Sequence, residues 1–227
     1  MCFSAEMSFA ASAVLTVSGA VAIKKVASKE WLLFACIPFI FAAQQLTEGL
    51  LWLGYTHAEF EKLRHACVVA FLVFAQVIWP VWVPLSLIAL EKIPSRKKLL
   101  KFILVAGAML SAYVAVCLFI FPADGYPQSH HIKYELGFPL SSSFIAAAFY
   151  FTATVLSCVV SSAKRMTTLG LIILGSYILA RIFFNGYSIS VWCFFAAIIS
   201  VMVIYVVHLA KPVSSGSTNR STHAMEG

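Results

Sequence analysis

The chain has 227 residues, of which 61% are hydrophobic and only 11% are charged, and its formal net charge is +7 at pH 7. Its mean hydropathy is +0.92, whereas about a quarter of the residues of a typical soluble domain are charged. This composition excludes an ordinary soluble domain and predicts an integral membrane protein whose main partner is the lipid bilayer.

Seven apolar segments predict an all-α fold, a bundle of seven transmembrane helices. Helices are expected because they satisfy every backbone hydrogen bond internally, and each segment approaches the roughly 20 residues that one crossing needs. The predicted segments are Met7–Ile23, Trp31–Gly54, Cys67–Leu90, Leu99–Phe121, Phe138–Ser162, Thr167–Phe184 and Ser188–Leu209. Residues 1–211 are therefore interpreted as one transmembrane domain, and residues 212–227, which are polar and rich in Ser and Thr, as a disordered cytoplasmic tail.

Basic residues follow the odd-numbered segments and predict the orientation of the bundle. They are Lys24, Lys25, Lys29, Lys92, Arg96, Lys97, Lys98, Lys101, Lys164, Arg165, Lys211 and Arg220. The positive-inside rule places these loops in the cytoplasm, so the amino terminus is expected outside and the carboxyl terminus inside. The basic residues can meet anionic lipid headgroups, so the net charge requires no nucleic-acid partner.

The chain begins with "MCFSAEMSF", which places Cys2 at the tip of the predicted outer surface. A signal peptide needs a positive region before its apolar core, and Glu6 occupies that region here, so we expect no cleavage. Three roles remain open for Cys2. It is a metal ligand, a packing residue, or a disulfide partner of Cys67, Cys117 or Cys193 in an oxidising compartment.

The second segment carries an intramembrane polar stripe in "FAAQQLTEGLLWLGY". Gln44, Gln45 and Glu48 share one helical face, with Glu48 roughly 9 Å below the outer end of the helix. A carboxyl group at that depth requires a partner, a proton or a hydrated cavity. Arg181 is the predicted partner, with Tyr177 one turn below it. The structural alternative is an ion pair that only fixes helix packing.

The third segment contains two prolines in "FAQVIWPVWVPLS". Pro80 and Pro84 are expected to kink the helix and to leave backbone carbonyls that neighbouring groups must satisfy. Gln76 and Trp79 directly precede the kink. We interpret both as candidates for the lining of a cavity.

Further reactive residues are predicted on the outer side. His130 and His131 lie in an outer loop, and Trp192 and Cys193 lie in the outer half of the seventh segment. A solvent-exposed histidine pair and a small-residue packing stripe around Cys193 are the structural alternatives. The functional hypothesis is a metal site made of Cys2, Glu48, His130 and His131, holding a transition metal such as zinc or copper.

Several ordered motifs carry a resemblance. The chain begins "MCFSA" and continues with "QQLTEGLLW", "WPVWVPLS" and "SVWCFFAAIIS". In these motifs it resembles a family of uncharacterised bacterial seven-helix membrane proteins. The resemblance implies a shared architecture over essentially the whole chain. For localisation it implies a bacterial inner membrane. It implies no activity and no catalytic residue.

Three functional classes remain open. The first is a protein with a one-sided polar site at its outer face, which binds a metal or a small molecule or is a membrane-embedded metal-dependent enzyme. The second is a transporter of small molecules or ions, and the third is a ligand-sensing receptor. The sequence assigns no catalytic residue and does not define the oligomeric state.

Overall fold

A computed structural model describes residues 4–128, 131–139, 143–183 and 195–209, with only the backbone described at positions 181 and 183. The described chain is mostly helical. Its elements in order are α1 (Ala5–Lys24), α2 (Lys29–Thr56), α3 (Ala58–Leu90), α4 (Pro94–Ile120), β1 (Ala123–Gln128), β2 (His131–Leu136), α5 (Phe144–Val160), α6 (Met166–Phe183) and α7 (Ala196–Leu209). Each predicted apolar segment corresponds to one of these helices.

The helices have the composition expected of a membrane protein. Among the described residues, α1, α2, α3 and α4 are long and apolar enough to cross a membrane. The helices α5, α6 and α7 are apolar but shorter within the described residues. Seven transmembrane crossings and their orientation therefore stay predictions.

The expectation of an all-α fold is wrong between α4 and α5, where β1 and β2 form a two-stranded antiparallel hairpin. Ala123 pairs with Leu136 at its base. Pro127 has no N–H and disfavours a helix interior, while Ile132 is buried against the bundle between more exposed neighbours. This alternation favours a strand with one face on the protein. The sequence had indicated only a polar loop.

The fifth helix also begins later than expected, at Phe144 and not at Phe138. The backbone N–H of Gly137 donates to the carbonyl of Pro122 at 3.1 Å, which closes the base of the hairpin. Ser143 then caps the helix by accepting a 3.1 Å hydrogen bond from the N–H of Ile145. The hairpin therefore ends just before Phe138, and the helix begins only after the Ser143 cap.

Helices α1 and α2 pack closely along most of their length. A Cβ at Gly19 would lie 2.7 Å from the ring of Phe39, and one at Gly49 would lie 2.6 Å from the ring of Phe9. Ser12 Oγ donates to the carbonyl of Ala42 at 2.8 Å. Small residues thus allow the two backbones to approach, as is common between membrane helices.

The bundle has two chemically different ends. The basic end is the one at which α1 ends and the α3–α4 and α5–α6 loops lie, with Lys24, Lys92 and Lys164, and the hairpin end is the one that carries β1 and β2. At the basic end, Glu91 accepts hydrogen bonds from the N–H and the hydroxyl of Ser162, at 2.7 and 2.6 Å, and so joins the α3–α4 loop to the α5–α6 loop. At the hairpin end, Tyr55 donates to the carbonyl of Gly125, and Tyr134 stacks on Phe71 with ring centroids 4.7 Å apart. The hairpin is therefore fastened to α2 and α3.

Candidate functional site

Two facing helices are locally widened in the middle of the bundle. Residues Val73–Ile78 of α3 and Thr152–Leu156 of α5 are π-helical. In α3 the π-helical turn is explained by Pro80, which has no N–H and cannot donate to the carbonyl of Gln76. Single π-helical turns inside α-helices are frequent at functional sites. Both turns contribute residues to the wall of one cavity, which is described below.

Side chains satisfy the carbonyls that these widened turns present. Tyr150 Oη on α5 donates to the carbonyl of Ala75 at 2.8 Å. Ser111 Oγ on α4 donates to the carbonyl of Val77 at 2.7 Å. Apolar surroundings supply no water for these carbonyls, so the two hydroxyls hold the α3 turn in shape.

The carbonyl of Pro80 is satisfied differently. Pro84 cannot donate to it, and α4 approaches it at Gly107, where a Cβ would lie only 2.1 Å from the Pro80 oxygen. Only glycine leaves room for this approach, in which the Cα–H group can point at the oxygen. The two prolines and Gly107 together define how α3 and α4 cross.

A cavity with an empty volume of about 750 Å³, counted to its open mouth, lies between α2, α3, α5, α6 and α7. We call it the α3–α5 cavity. Its described lining residues are Phe34, Ile37, Phe41, Gln44, Ala75, Gln76, Trp79, Val83, Tyr150, Thr154, Cys158, Leu169, Ile173 and Ile199. The cavity extends from the middle of the bundle toward the basic end, since Phe34 and Cys158 lie near the basic ends of α2 and α5.

The wall of the cavity combines aromatic rings with a few hydrogen-bonding groups. Trp79 Nε1 donates to Gln44 Oε1 at 3.1 Å, and the ring of Trp79 packs on that of Phe41 with centroids 4.2 Å apart. The prediction that Gln76 and Trp79 line a cavity is confirmed. Its position differs from the ligand site expected at the outer face, because it opens in the half of the bundle nearer the basic end.

The predicted polar stripe on α2 is divided between two environments. Gln44 faces the α3–α5 cavity. Gln45 and Glu48 follow it by one and by four residues toward the hairpin end and are buried, with 1% and 0% of their surfaces exposed. Gln45 Nε2 lies 3.5 Å from Glu48 Oε2, which is a long hydrogen bond. A carboxyl group is thus buried deep in the bundle, as the sequence predicted.

Three further polar atoms are buried near Glu48 without a hydrogen-bond partner among the described residues: Ser8 Oγ, Gln45 Oε1 and Trp52 Nε1. Gln45 and Trp52 share the face of α2 that carries Glu48. Ser8 lies on α1 between Ala5, which packs with Trp52, and Ser12, which bonds to Ala42. Because the helices are antiparallel, Ser8 lies at about the depth of Glu48.

The structure describes only part of the remaining predicted site. Tyr177 packs edge-on against Phe151, with ring centroids 4.3 Å apart, next to the cavity. Arg181 is in α6, one turn from Tyr177, with its side chain outside the description. His131 begins β2. Cys2, His130, Trp192 and Cys193 lie outside the described residues.

The thiols of Cys67 and Cys117, two of the proposed disulfide partners of Cys2, are free and buried. Among the described residues, no three His, Cys, Asp or Glu side chains form a group that could hold a metal ion. That finding leaves the predicted metal set untested, because Cys2 and His130 are not described.

Three cavity residues were missed by the sequence analysis. Tyr150, Thr154 and Cys158 follow each other at intervals of four along α5 and line the cavity together. Thr154 Oγ1 donates to the carbonyl of Tyr150 at 2.8 Å, and Cys158 Sγ to that of Thr154 at 3.4 Å. This spacing in "FYFTATVLSC" places three polar side chains on one helical face, and it is the sequence pattern that could have predicted them as cavity residues.

Comparison with curated proteins and with solved structures gives no match. The model of a family of unknown function, DUF6629, matches residues 1–217. The match agrees with the resemblance to an uncharacterised family that the sequence motifs carry. Because it covers well over half of the chain, the protein belongs to the family of unknown function DUF6629.

Proposed function

We propose that this membrane protein binds a small, largely apolar molecule in the α3–α5 cavity. The observation that carries the proposal is the cavity itself, which lies between five helices. Sites for small molecules are typically clefts or cavities with mostly apolar walls and a few polar groups that orient the ligand. The wall described above has this composition.

The irregular helices around the cavity favour the transporter among the alternatives. The helix α2 is interrupted at Cys36, and both α3 and α5 contain a π-helical turn at the depth of the cavity. Transporters commonly bind their substrates near the middle of the membrane, between helices that are broken there. A receptor would use the same cavity but has no need of interrupted helices.

The binding function is tested by filling the cavity. Ile173 lines it and is 8% exposed, whereas Ile178 on the same helix is 47% exposed. We expect Ile173→Trp to abolish the co-purification of an apolar compound, detected by mass spectrometry of organic extracts, and Ile178→Trp to retain it. Val83→Phe, with Val105→Phe as its exposed counterpart, repeats the test at a second position. Equal amounts of every extracted compound in all variants would contradict the proposal.

The predicted metal site at the outer face is a second candidate function. It is supported by the buried carboxyl group of Glu48 and by the buried polar atoms of Ser8, Gln45 and Trp52 near it. Polar atoms buried in an apolar bundle favour a polar occupant beside them, such as water or a cation. Cys2, His130 and His131 complete the proposed ligand set for zinc or copper. A metal-dependent enzyme would need this site.

Elemental analysis of the purified protein tests the second candidate. We expect stoichiometric zinc or copper in the wild type, its loss in Cys2→Ser and in Glu48→Gln, and its retention in the control Glu59→Gln, which changes an exposed residue. If the wild type contains no metal, the ion pair between Glu48 and Arg181 becomes the better account of the buried carboxyl group. Glu48→Gln and Arg181→Met would then have strongly coupled effects on stability.

A further inference from the structure

The wall of the α3–α5 cavity restricts the charge of its occupant. Among the described residues that line it, none carries a formal charge at neutral pH. A charged ligand would lose its hydration on entering and would find no opposite charge in the described wall, which is strongly unfavourable in surroundings of low dielectric constant. The described wall therefore favours an uncharged molecule.

The hydrogen-bonding groups of the wall restrict the occupant further. The donors of Trp79, Tyr150 and Thr154 are all used within the protein, on Gln44, Ala75 and Tyr150 respectively. These three donors are therefore not available to a ligand. A further polar side chain of the described wall makes no such hydrogen bond.

That side chain is Gln76, in the π-helical turn of α3. It is half-buried, and its amide makes no hydrogen bond to another described residue. The amide supplies both a donor and an acceptor. It therefore offers one polar contact to a molecule whose remaining surface meets Phe34, Phe41 and the ring of Trp79.

We propose that the occupant of the α3–α5 cavity is an uncharged molecule with an apolar, ring-containing body and one carbonyl or hydroxyl oxygen that the side-chain amide of Gln76 binds. Gln76 is then the residue that determines specificity. The aromatic side chains contact the body by stacking and edge-on packing. This inference rests on the binding function proposed above and adds the chemical class of the ligand.

The test uses photoactivatable diazirine probes that share one aryl-alkyl body. One ends in a methyl ketone, one in a carboxylate, one in a trimethylammonium group, and one has no polar group. The full chain in zwitterionic lipid nanodiscs is irradiated with each probe, and mass spectrometry of the digest locates the adducts. The hydrocarbon probe reports the cavity itself, and the three headgroups report its selectivity.

We expect the ketone probe to label the peptides of α3 and α5 that line the cavity at least tenfold more than either charged probe. In Gln76→Leu, labelling by the ketone should fall about three- to tenfold, as expected for the loss of one hydrogen bond, while labelling by the hydrocarbon is unchanged. Gln76→Met provides a second variant of similar length. Thr16→Val, a polar-to-apolar change on α1 away from the cavity, should leave all labelling unchanged.

Failures of the two proposals are distinguishable. If no probe labels the cavity peptides, or if Ile173→Trp does not reduce labelling by the hydrocarbon, the binding function itself is wrong. If the hydrocarbon labels the cavity but the charged probes label it as strongly as the ketone, the cavity binds ligands and the inferred ligand class is wrong. Equal ketone labelling of wild type, Gln76→Leu and Gln76→Met would remove Gln76 from its assigned role.

Discussion

At the scale of single residues, the contacts with the strictest geometric requirements in the bundle are those made to buried backbone carbonyls. Prolines in a helix leave carbonyls without their usual donors, and each such carbonyl needs a substitute when no water is present. The carbonyl of Pro80, which loses its donor to Pro84, is approached by Gly107. The carbonyls of Ala75 and Val77, in the π-helical turn before Pro80, are bonded by hydroxyl groups. The consequences of removing these substitutes can be measured.

Gly107→Ala should destabilise the protein, because the added Cβ would meet the carbonyl oxygen of Pro80 at 2.1 Å. Backbone atoms of two packed helices cannot move aside cheaply, so we expect a loss of about 1–3 kcal/mol, as for other overpacking substitutions. Gly175→Ala is the control, since a Cβ there meets nothing within 4 Å. It should be neutral or stabilising by up to about 1 kcal/mol. Unfolding of both variants in mixed detergent measures the difference, and equal stabilities would contradict the close approach.

Glu91 should make stability depend on pH in the acid range. Burial raises the pKa of its carboxyl group, but the hydrogen bonds from Ser162 and from the backbone N–H groups of Ile93 and Lys92 outweigh burial and hold the pKa below its ordinary value of 4.5. A lowered native pKa means that the stabilisation is present above pH 4.5 and is lost as the pH falls through the native pKa.

We therefore expect the thermal midpoint of the wild type to fall more steeply below about pH 4.5 than that of Glu91→Gln. At neutral pH the variant should already be less stable, because two charge-assisted hydrogen bonds from Ser162 become weaker. Glu59→Gln, at the other end of α3, is the control. Identical pH profiles for wild type and Glu91→Gln would show that this contact does not hold the two loops together.

At the scale of elements, the two π-helical turns are the features that shape the cavity. Both turns contribute residues to the wall of the cavity, and the α3 turn is held by hydroxyls from two different helices, α4 and α5. An α-helix with regular hydrogen bonds would present fewer unsatisfied carbonyls and a narrower groove at this depth. The shape of the cavity therefore depends on contacts between helices.

Tyr150→Phe and Ser111→Ala should each destabilise the protein by about 1–2 kcal/mol, because each leaves a buried carbonyl of α3 without its donor. Tyr150→Phe keeps the ring and removes only the hydroxyl, so the effect is attributable to the hydrogen bond. Tyr205→Phe on α7, where the tyrosine is 44% exposed, is the control and should change stability little. Thermal unfolding in detergent is the measurement, and an effect of Tyr150→Phe no larger than that of the control would argue against the bond to Ala75.

At the scale of the whole molecule, the distribution of charge divides the bundle into two ends. Most of the described lysines and arginines lie at the end where Glu91 joins two loops, and the hairpin closes the other end over α2 and α3. Charge at a helix end cannot easily cross a bilayer, so this division is also a prediction of orientation.

A reporter fused after Lys98 should be active in the cytoplasm, and one fused after Gln128 should be active outside. Paired reporters, one active only in the cytoplasm and one active only outside, measure each position independently. The opposite assignment would place the α3–α5 cavity nearer the outer leaflet and the buried Glu48 nearer the cytoplasm. It would thereby remove the basis for an outer metal site.

The sequence by itself determined the helical class, the approximate bounds of most helices and which polar residues share a face of α2 and of α3. These follow from local properties, since an apolar run of sufficient length has few alternatives to a helix in lipid, and helical spacing fixes which side chains share a face. For the same reason, a helix that contains Pro80 and Pro84 was predicted to be irregular near Gln76 and Trp79, both of which line the cavity.

Only the tertiary structure decided where a ligand could bind and which contacts define that place. The hairpin depends on pairing between β1 and β2, and the cavity depends on the spaces between five helices. Neither feature can be predicted from the periodicity of a single segment. Hydroxyls more than thirty residues away satisfy the α3 turn, because any donor at the right position serves a backbone carbonyl equally well. Every residue has a backbone carbonyl, so the sequence does not show which carbonyl will accept a hydrogen bond from a distant side chain. This is the physical reason that the site could not be derived from the sequence alone.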